Sequence, residues 1–283
     1  VCMAYRAYKV FLNVNSVFNS PTMFSRRVFE ILASSTVVLS SPSIGMEEML
    51  GTFVKSVENA NEAKLELSSL LNNDIMRREL AHLGYREVMK NHTYSHRIRY
   101  IMSKVEIDTP PSETIFISCI CVSNRPSLID HIIKQFDEQN HETKELILMI
   151  EAADEEFESI KEKVNLRPDV KLKRVFSDEI LGAIFNKGVD LSSGNYISKW
   201  DDDDLYGPSY LSDSIIPFKY SSASIVGKME IFMYHEKTDS LYQKYPGQRH
   251  KYLQFIHGPT IIAKREVFEK VRFPEKSVGE DSG

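Results

Sequence analysis

The chain has 283 residues, which is too long for one small core and fits one large domain or two modest ones. Its hydrophobic content of 42% and charged content of 27% are ordinary globular values, so wholesale disorder is excluded. A net charge of -5 gives no general reason to expect nucleic-acid binding, and no apolar run reaches the roughly 20 residues of a transmembrane segment.

The ends and the cysteines of the chain indicate its setting. The first residues carry neither an initiator Met nor a secretory h-region, so we expect a fragment or a processed product. Cys119 and Cys121 lie two apart in an apolar run, and a strand would point both to the same face. We interpret them as small buried hydrophobes in a reducing compartment. The expected location is cytoplasmic, with peripheral membrane association as the alternative.

The Pro-Pro pair in Thr109–Glu113 predicts a linker between residues 1–108 and 114–283, because it cannot continue a helix. Before it, patterning predicts strands over Tyr8–Asn13 and Thr36–Leu39 and helices over Asn61–Lys104. Ser20-Pro21 is expected to begin a further helix that runs to about Ala33. The expected apolar face of that helix is Met23, Val28, Ile31 and Leu32.

After the linker, strands and helices alternate. The predicted strands are Thr114–Val122, Glu145–Ile150, Val170–Phe176 and Tyr196–Trp200. The predicted helices begin at Asn124-Arg125-Pro126, Glu155 and Ile180 and end near Gln139, Val164 and Leu191. Strands that are apolar throughout and alternate with helices indicate an α/β fold with a mainly parallel sheet flanked by helices.

Polar residues follow three of these strands. Ligands bind beyond the carboxyl ends of parallel strands, so Ser123-Asn124-Arg125, Glu151–Asp154 and Asp201–Asp204 are expected to share one rim. The acidic run could be a solvated loop, yet it is anchored to the end of a buried strand. Carboxylate oxygens suit Mg²⁺ or Mn²⁺, which commonly complete their shell with substrate phosphates. We therefore expect a metal site at Asp201–Asp204.

Four landmarks in order resemble the family 2 glycosyltransferases of GT-A fold. They are Thr114–Arg125 followed by a helix, Lys144–Asp154, Leu181–Val189 with its Asn-Lys-Gly, and Ser193–Asp204 with its Gly-x-Tyr-Ile strand and aspartates. The ending, from Phe273-Pro274 to Gly279-Glu280-Asp281, resembles the Glu-Asp motif of that family. The resemblance covers essentially all of residues 114–283.

The resemblance implies a role for each matching position. Asp203 is the principal metal ligand, and Asp201 or Asp202 contacts ribose or helps to hold the metal. Ser123, Asn124 and Glu151 line the base pocket, and Asn186 lies near the nucleotide. Arg125 could reach a phosphate, although an arginine at the start of a helix is as often a surface residue. Asp281 is the catalytic base, with Glu280 beside it. Glu151-Ala152-Ala153-Asp154 departs from the usual pair of aspartates, which leaves the base contact open.

Two further segments have weaker signals. His257 precedes Gly258-Pro259-Thr260 and could contact the acceptor or act as an additional metal ligand, although a plain turn is the alternative. Residues 1–105 resemble the C-terminal half of a GT-B glycosyltransferase domain of the spore-maturation type, a partial Rossmann-like segment that ends in helices. In that group a helix glutamate, here Glu30, binds the donor ribose; the alternative is a plain polar helix face.

The function implied is a metal-dependent transfer, with inversion, of a sugar from a nucleotide diphosphate to a hydroxyl of a glycan or other acceptor. The cofactor is Mn²⁺ or Mg²⁺, and the expected donor is a UDP-sugar. A catalytically inactive nucleotide-sugar- or carbohydrate-binding module is the alternative. A sugar nucleotidyltransferase is disfavoured, because Val122–Pro126 offers no Gly-rich phosphate loop after the first strand.

Overall fold

The computed structural model describes residues 2–111, 113–277 and Gly279. The chain divides into two compact units, Val1–Pro111 and Ser112–Gly283. No helix in the described ranges is long and apolar enough to cross a membrane.

The first unit begins with a parallel sheet and ends in helices. Its strands pair in the order β1-β2-β3. The strands are β1 (Val10–Asn13), β2 (Val37–Ser40) and β3 (Val54–Ser56). The helices are α1 (Cys2–Ala7), α2 (Arg27–Ala33), α3 (Ile44–Leu50), α4 (Ala60–Asn72), α5 (Asp74–Asn91) and α6 (Tyr94–Lys104). Val28, Ile31 and Leu32 of α2 are fully buried and form the centre of its core.

The predicted start of the second helix is wrong. Helix α2 begins at Arg27, not at Ser20-Pro21, and Met23 is exposed rather than part of the apolar face. The reason is tertiary, because the Ser20 carbonyl accepts a hydrogen bond from the Gly45 N–H at 3.1 Å. A side chain at Gly45 would place its Cβ 2.5 Å from the Pro21 carbonyl oxygen, so this close approach requires glycine.

The second unit confirms the predicted α/β architecture with a mainly parallel sheet. In residues 113–277 the main sheet has the order β6-β5-β4-β7-β11-β8, in which β6, β5, β4 and β7 are parallel and β11 is antiparallel to its neighbours. These strands are β4 (Ile117–Ser123), β5 (Lys144–Ile150), β6 (Val170–Arg174), β7 (Tyr196–Asp201), β8 (Ile225–Val226) and β11 (Ile262–Lys264). A separate antiparallel hairpin joins β9 (Ile231–His235) and β10 (Ser240–Lys244).

Helices cover both faces of this sheet. They are α7 (Ile129–Asp137), α8 (Asp154–Val164), α9 (Leu181–Leu191), α10 (Tyr210–Ser214) and α11 (Arg265–Lys270). A 3₁₀ turn, Pro126–Leu128, precedes α7, so that helix begins later than predicted. Cys119 and Cys121 face the α7 side and are fully buried, as predicted, whereas Ile120 between them faces α9.

Close packing explains the glycine of the Asn-Lys-Gly segment on α9. A Cβ at Gly188 would lie 2.6 Å from Ile120 Cγ2 of β4. Glycine therefore lets α9 pack closely on the central strand, and that packing supports the strands whose ends carry the polar residues.

Candidate active site

The carboxyl ends of β4, β5 and β7 form one rim, because β4 is parallel to both neighbours. The Glu151 N–H donates to the Ser123 carbonyl at 3.0 Å, which joins the first residues beyond β4 and β5. The structure therefore brings together Ser123, Asn124, Glu151 and the aspartates that end β7.

Successive aspartates of the acidic run face in different directions. The Asp202 side chain is 8% exposed, whereas those of Asp201 and Asp203 are 39% and 60% exposed. The Ser123 hydroxyl donates to Asp202, and Arg125 Nε donates to Asp202 Oδ2 at 3.0 Å. Asp202 thus anchors the loop, and the first and third aspartates remain open to solvent.

Arg125 binds both Asp202 and Asp203. Its Nη2 contacts Asp202 Oδ1 and lies 3.0 Å from Asp203 Oδ2. Sequence patterning left Arg125 as either a phosphate contact or a surface residue. In the structure its guanidinium pairs with the aspartates, and a phosphate contact remains a prediction.

Lys199 is a site residue that sequence analysis missed. It is buried, and its Nζ lies 2.7 Å from Asp201 Oδ1 and 4.8 Å from the centre of the Phe185 ring. The signal was present, because Lys199 is a lone cation in the apolar strand Tyr196–Trp200. A buried cation of this kind needs a partner, and the first aspartate of the run supplies it.

An aromatic stack fixes the end of the acidic loop. The rings of Trp200 and Tyr206 are stacked, with centroids 4.3 Å apart and an interplanar angle of 12°. The Tyr206 hydroxyl accepts from the Asp201 N–H and donates to the Pro259 carbonyl, each at 2.9 Å. Burial raises the pKa of Tyr206 well above its usual value, so it stays a neutral donor.

Two glutamines, Gln135 of α7 and Gln139 just after α7, hydrogen-bond to the same loop. Gln135 Nε2 donates to the Asp204 carbonyl at 2.9 Å, and Gln135 Oε1 accepts from the Tyr206 N–H at 2.6 Å. Gln139 Nε2 donates to the Gly207 carbonyl at 2.9 Å. These residues were also missed, although a spacing of four on a predicted helix places both on one face.

A cavity of about 400 Å³ lies beside the acidic rim. Its lining residues are Asn124, Pro126, Glu151, Ala152, Ala153, Glu156, Val175, Phe176 and Ser177. Of the residues predicted to line a base pocket, Asn124 and Glu151 line this cavity. Ser123 is buried and bonded to Asp202 instead. Phe176 was not singled out by sequence analysis.

Asn186 and His257 lie outside this cavity lining. The Asn186 side chain donates to the Phe273 carbonyl at 2.9 Å and accepts from the Phe273 N–H at 3.0 Å. The Asn186 amide thus fixes the backbone at Phe273, which follows α11. A nucleotide contact for Asn186 remains a prediction. The His257 ring lies 5.8 Å from the Tyr245 ring, before the 3₁₀ turn Gly258–Thr260. Glu280 and Asp281 lie outside the described residues.

The acidic run supplies part, but not all, of the ligand shell that a divalent cation needs. Among residues 2–111, 113–277 and Gly279, no group of three or more His, Cys, Asp or Glu side chains is arranged to hold a metal. Asp201 and Asp203 nevertheless present carboxylate oxygens at the rim, and Mg²⁺ or Mn²⁺ is often held by one or two carboxylates plus substrate phosphates and water. Burial, reinforced by the charges of Asp201 and Asp203, raises the pKa of Asp204.

Comparison with solved structures finds distant similarity. S. aureus TarS 1-349 is 14% identical, with 59% of this chain and 53% of that chain covered and a TM-score of 0.45. The same protein in complex with UDP is 15% identical, with the same coverage and a TM-score of 0.48. The mannosyltransferase PcManGT from Pyrobaculum calidifontis, in complex with GDP-Man and Mn²⁺, is 16% identical over 65% of this chain and 56% of that chain, with a TM-score of 0.45. The chain therefore spans about half the length of these structures.

No curated protein matches the chain. Two family profiles do match, one in each unit. A profile described as glycosyl transferase-like matches residues 1–103. A second profile, glycosyl transferase family 2, matches residues 118–272, which contain the parallel sheet and the acidic rim. Since this match spans more than half of the 283 residues, the chain belongs to glycosyl transferase family 2.

Proposed function

We propose that this protein transfers a sugar from a nucleotide diphosphate donor to a hydroxyl group of a glycan or similar acceptor. The observation that carries the proposal is the rim at the ends of β4, β5 and β7. There the exposed carboxylates of Asp201 and Asp203 flank the anchored Asp202. The cavity that Asn124 and Glu151 line lies beside them and could take the nucleoside.

In this proposal Asp203 is the principal ligand of Mn²⁺ or Mg²⁺, and Asp201 contacts the ribose or shares the ion. When bound, the ion stabilises the negative charge of the leaving diphosphate. Asp202, through Ser123 and Arg125, holds the loop so that its two neighbours stay exposed. Arg125 already neutralises part of the acidic run, and its guanidinium is also a candidate phosphate contact.

Transfer with inversion needs a base on the side of the sugar carbon opposite the leaving diphosphate. We assign this role to Asp281, with Glu280 orienting the acceptor and His257 as a further acceptor contact. The assignments of Asp281 and Glu280 rest on the sequence motif, since both residues lie outside the described ranges.

The metal assignment is tested by replacing Asp203. Titration of UDP and other nucleoside diphosphates, with and without Mn²⁺, should show metal-dependent binding in the wild-type chain and its loss in Asp203→Ala. Because this side chain is 60% exposed, the melting temperature without ligand should change little.

Asp130→Ala is the matched control, since Asp130 is an exposed aspartate paired with Lys163 at 2.6 Å. It should bind like the wild type. Metal-dependent nucleotide binding of unchanged affinity in Asp203→Ala would refute the ligand assignment. Binding without sugar transfer in the wild type would favour an inactive binding module.

The base is tested separately with Asp281→Asn. The amide keeps the shape of the carboxyl group but accepts no proton, so turnover should be lost while donor binding is kept. Unchanged turnover would show that another residue is the base.

A further inference from the structure

The last helix of the first unit carries its apolar side chains on the outside. In α6 and the residue that follows it, apolar residues recur at spacings of four, three and four, which places them on one face. This apolar stripe, each member of which is 57% to 69% exposed, consists of Tyr94, Ile98, Ile101 and Val105. Every residue of α6 is described, and none of them is buried. A helix of a globular domain ordinarily buries its apolar face, so α6 is inverted with respect to its own unit.

Polar side chains attach α6 to the rest of the unit. The Arg97 guanidinium carbon lies 5.1 Å from the centre of the Phe29 ring, and Arg97 Nη2 lies 3.3 Å from Met49 Sδ. Arg99 Nη1 donates to the Pro110 carbonyl at 2.9 Å. The helix is therefore held through its polar side chains, and the apolar stripe is left exposed to whatever lies outside the unit.

The charge around the apolar stripe is positive. The stretch Val88–Val105 has no Asp or Glu, and its charged residues are Lys90, Arg97, Arg99 and Lys104. The next acids, Glu106 and Asp108, lie beyond the helix. Since the whole chain has a net charge of -5, this helix is opposite in sign to the protein that carries it. Its charge is therefore complementary to a negatively charged partner.

We propose that α6 lies on an anionic phospholipid membrane, with the apolar stripe inserted between the headgroups and the acyl chains. A helix with a basic polar side and an apolar face binds in the plane of a membrane surface in this way. The 11 residues of α6 are too few to cross the hydrocarbon core. This inference concerns where the protein acts, and it does not depend on the proposed sugar transfer.

The geometry and the charge favour a membrane over other partners. Because α6 is attached through Arg97 and Arg99, a flat surface can cover the apolar stripe without detaching the helix. A groove that encloses a helix would have to break those contacts. A second copy of this chain would bring two basic helices together, and like charges oppose that pairing.

Co-sedimentation of the full chain with lipid vesicles tests the apolar part of the proposal. The wild type should bind vesicles of phosphatidylcholine and phosphatidylglycerol in equal parts. Ile98→Gln combined with Ile101→Gln should weaken this binding at least about tenfold, because two inserted apolar side chains are lost. The matched control is Leu65→Gln combined with Leu71→Gln, at exposed leucines of α4, a helix that carries acidic as well as basic residues. The control should bind as the wild type does.

The charge is tested with the same vesicles. Arg99→Gln combined with Lys104→Gln should weaken binding to the mixed vesicles at least about fivefold, since each cation near an anionic surface adds to the attraction. Vesicles of phosphatidylcholine alone should bind the wild type at least about tenfold more weakly than the mixed vesicles do. The melting temperature without lipid should stay close to that of the wild type in every variant, because none of the replaced side chains is buried.

Failure of the wild type to sediment with the mixed vesicles, or equal binding to both kinds of vesicle, would overturn the proposal. Equal effects of the isoleucine pair and the leucine pair would overturn the role of the apolar stripe. Analytical ultracentrifugation without lipid should give the same molecular mass for the wild type and the isoleucine variant. A wild-type dimer that the isoleucine substitutions dissociate would instead place a second copy on the stripe, which would also overturn the proposal.

Discussion

At the residue scale, the guanidinium of Arg125 holds the acidic run together. It binds Asp202 through two nitrogens and reaches Asp203 with one of them. The hydrogen bond that Arg125 donates to Asp202 raises the pKa of Arg125 further above its ordinary value, so the group is charged at every working pH. Its planar fork suits two carboxylate oxygens at once, which an ammonium group does not match.

Arg125→Gln should lower the free energy of unfolding by about 1–2 kcal/mol. Removing one partner leaves the nearly buried Asp202 without its cation, and the 46% exposure of Arg125 reduces the cost by solvent screening. Arg125→Lys should recover part of the loss. Urea denaturation measures both, with Lys134→Gln as the control, because Lys134 is exposed and lies 3.8 Å from Glu138. A loss no larger than that of the control would contradict this account.

At the element scale, the buried Glu145 links strands at the other end of the sheet. Its carboxylate accepts from Ser118 of β4 at 2.6 Å and from Lys171 of β6 at 2.8 Å. It also accepts from the Ser193 N–H in the turn before β7. One side chain on β5 therefore ties together three strands and the turn that leads to the acidic run.

This arrangement has a consequence for stability at low pH. Burial alone would raise the pKa of Glu145, but the bonds from Lys171, Ser118 and Ser193 outweigh burial, and the net result is a lowered pKa. A carboxyl group with a lowered folded-state pKa contributes stability above its unfolded-state pKa, and this contribution is lost as the pH falls through the folded-state value. The pH range over which this stability is lost therefore begins near the ordinary pKa of 4.5 and extends below it.

Glu145→Gln should lower the free energy of unfolding by about 1–3 kcal/mol at pH 7, the value of hydrogen bonds to a charged group. The difference from the wild type should narrow as the pH falls from about 4.5, where the Glu145 carboxylate of the unfolded chain takes up a proton, through the lower pKa of the folded chain. Thermal denaturation between pH 3 and pH 7 measures the difference in stability between Glu145→Gln and the wild type. Glu158→Gln, at an exposed residue paired with Lys161, should show no such dependence. A stability difference that stays constant with pH would argue against a stabilising role for the negative charge of Glu145.

At the scale of the whole molecule, the chain has two units, each with its own core. The core of the first unit contains Val28, Ile31, Leu32 and Met46. The second unit has one buried cluster on each face of its main sheet. In the first unit, Glu30 Oε1 lies 3.1 Å from Arg26 Nε. The acidic rim and the cavity both belong to the second unit.

A fragment of residues 1–108 should bind no nucleotide sugar. A donor cleft between two Rossmann domains needs both walls, and this fragment offers one sheet with Glu30 already paired to Arg26. Circular dichroism should first establish that the fragment is folded, and calorimetry with UDP- and GDP-sugars then decides. Tight, saturable binding that Glu30→Ala abolishes would overturn this prediction.

Much of the second unit could be predicted because its signals are local. Continuous apolar runs indicated the buried strands, and the rule for parallel sheets placed Asn124, Glu151 and the aspartates at one edge. The start of α2 could not be predicted, because Ser20 and Pro21 pack against Gly45, which is distant in the sequence. Local propensity favoured a helix there, and a long-range contact overrode it.

The order of strands and helices, the acidic run at a strand end and the family could be predicted from residue patterns, because they depend on periodicity and on short motifs. The folded structure was needed to show which aspartate is anchored and which two are exposed, since that depends on Ser123 and Arg125 across the sheet. It also revealed the buried pair of Lys199 with Asp201 and placed Phe176 in the cavity. Contacts of this kind join residues from different strands, and the linear pattern does not encode which of them meet.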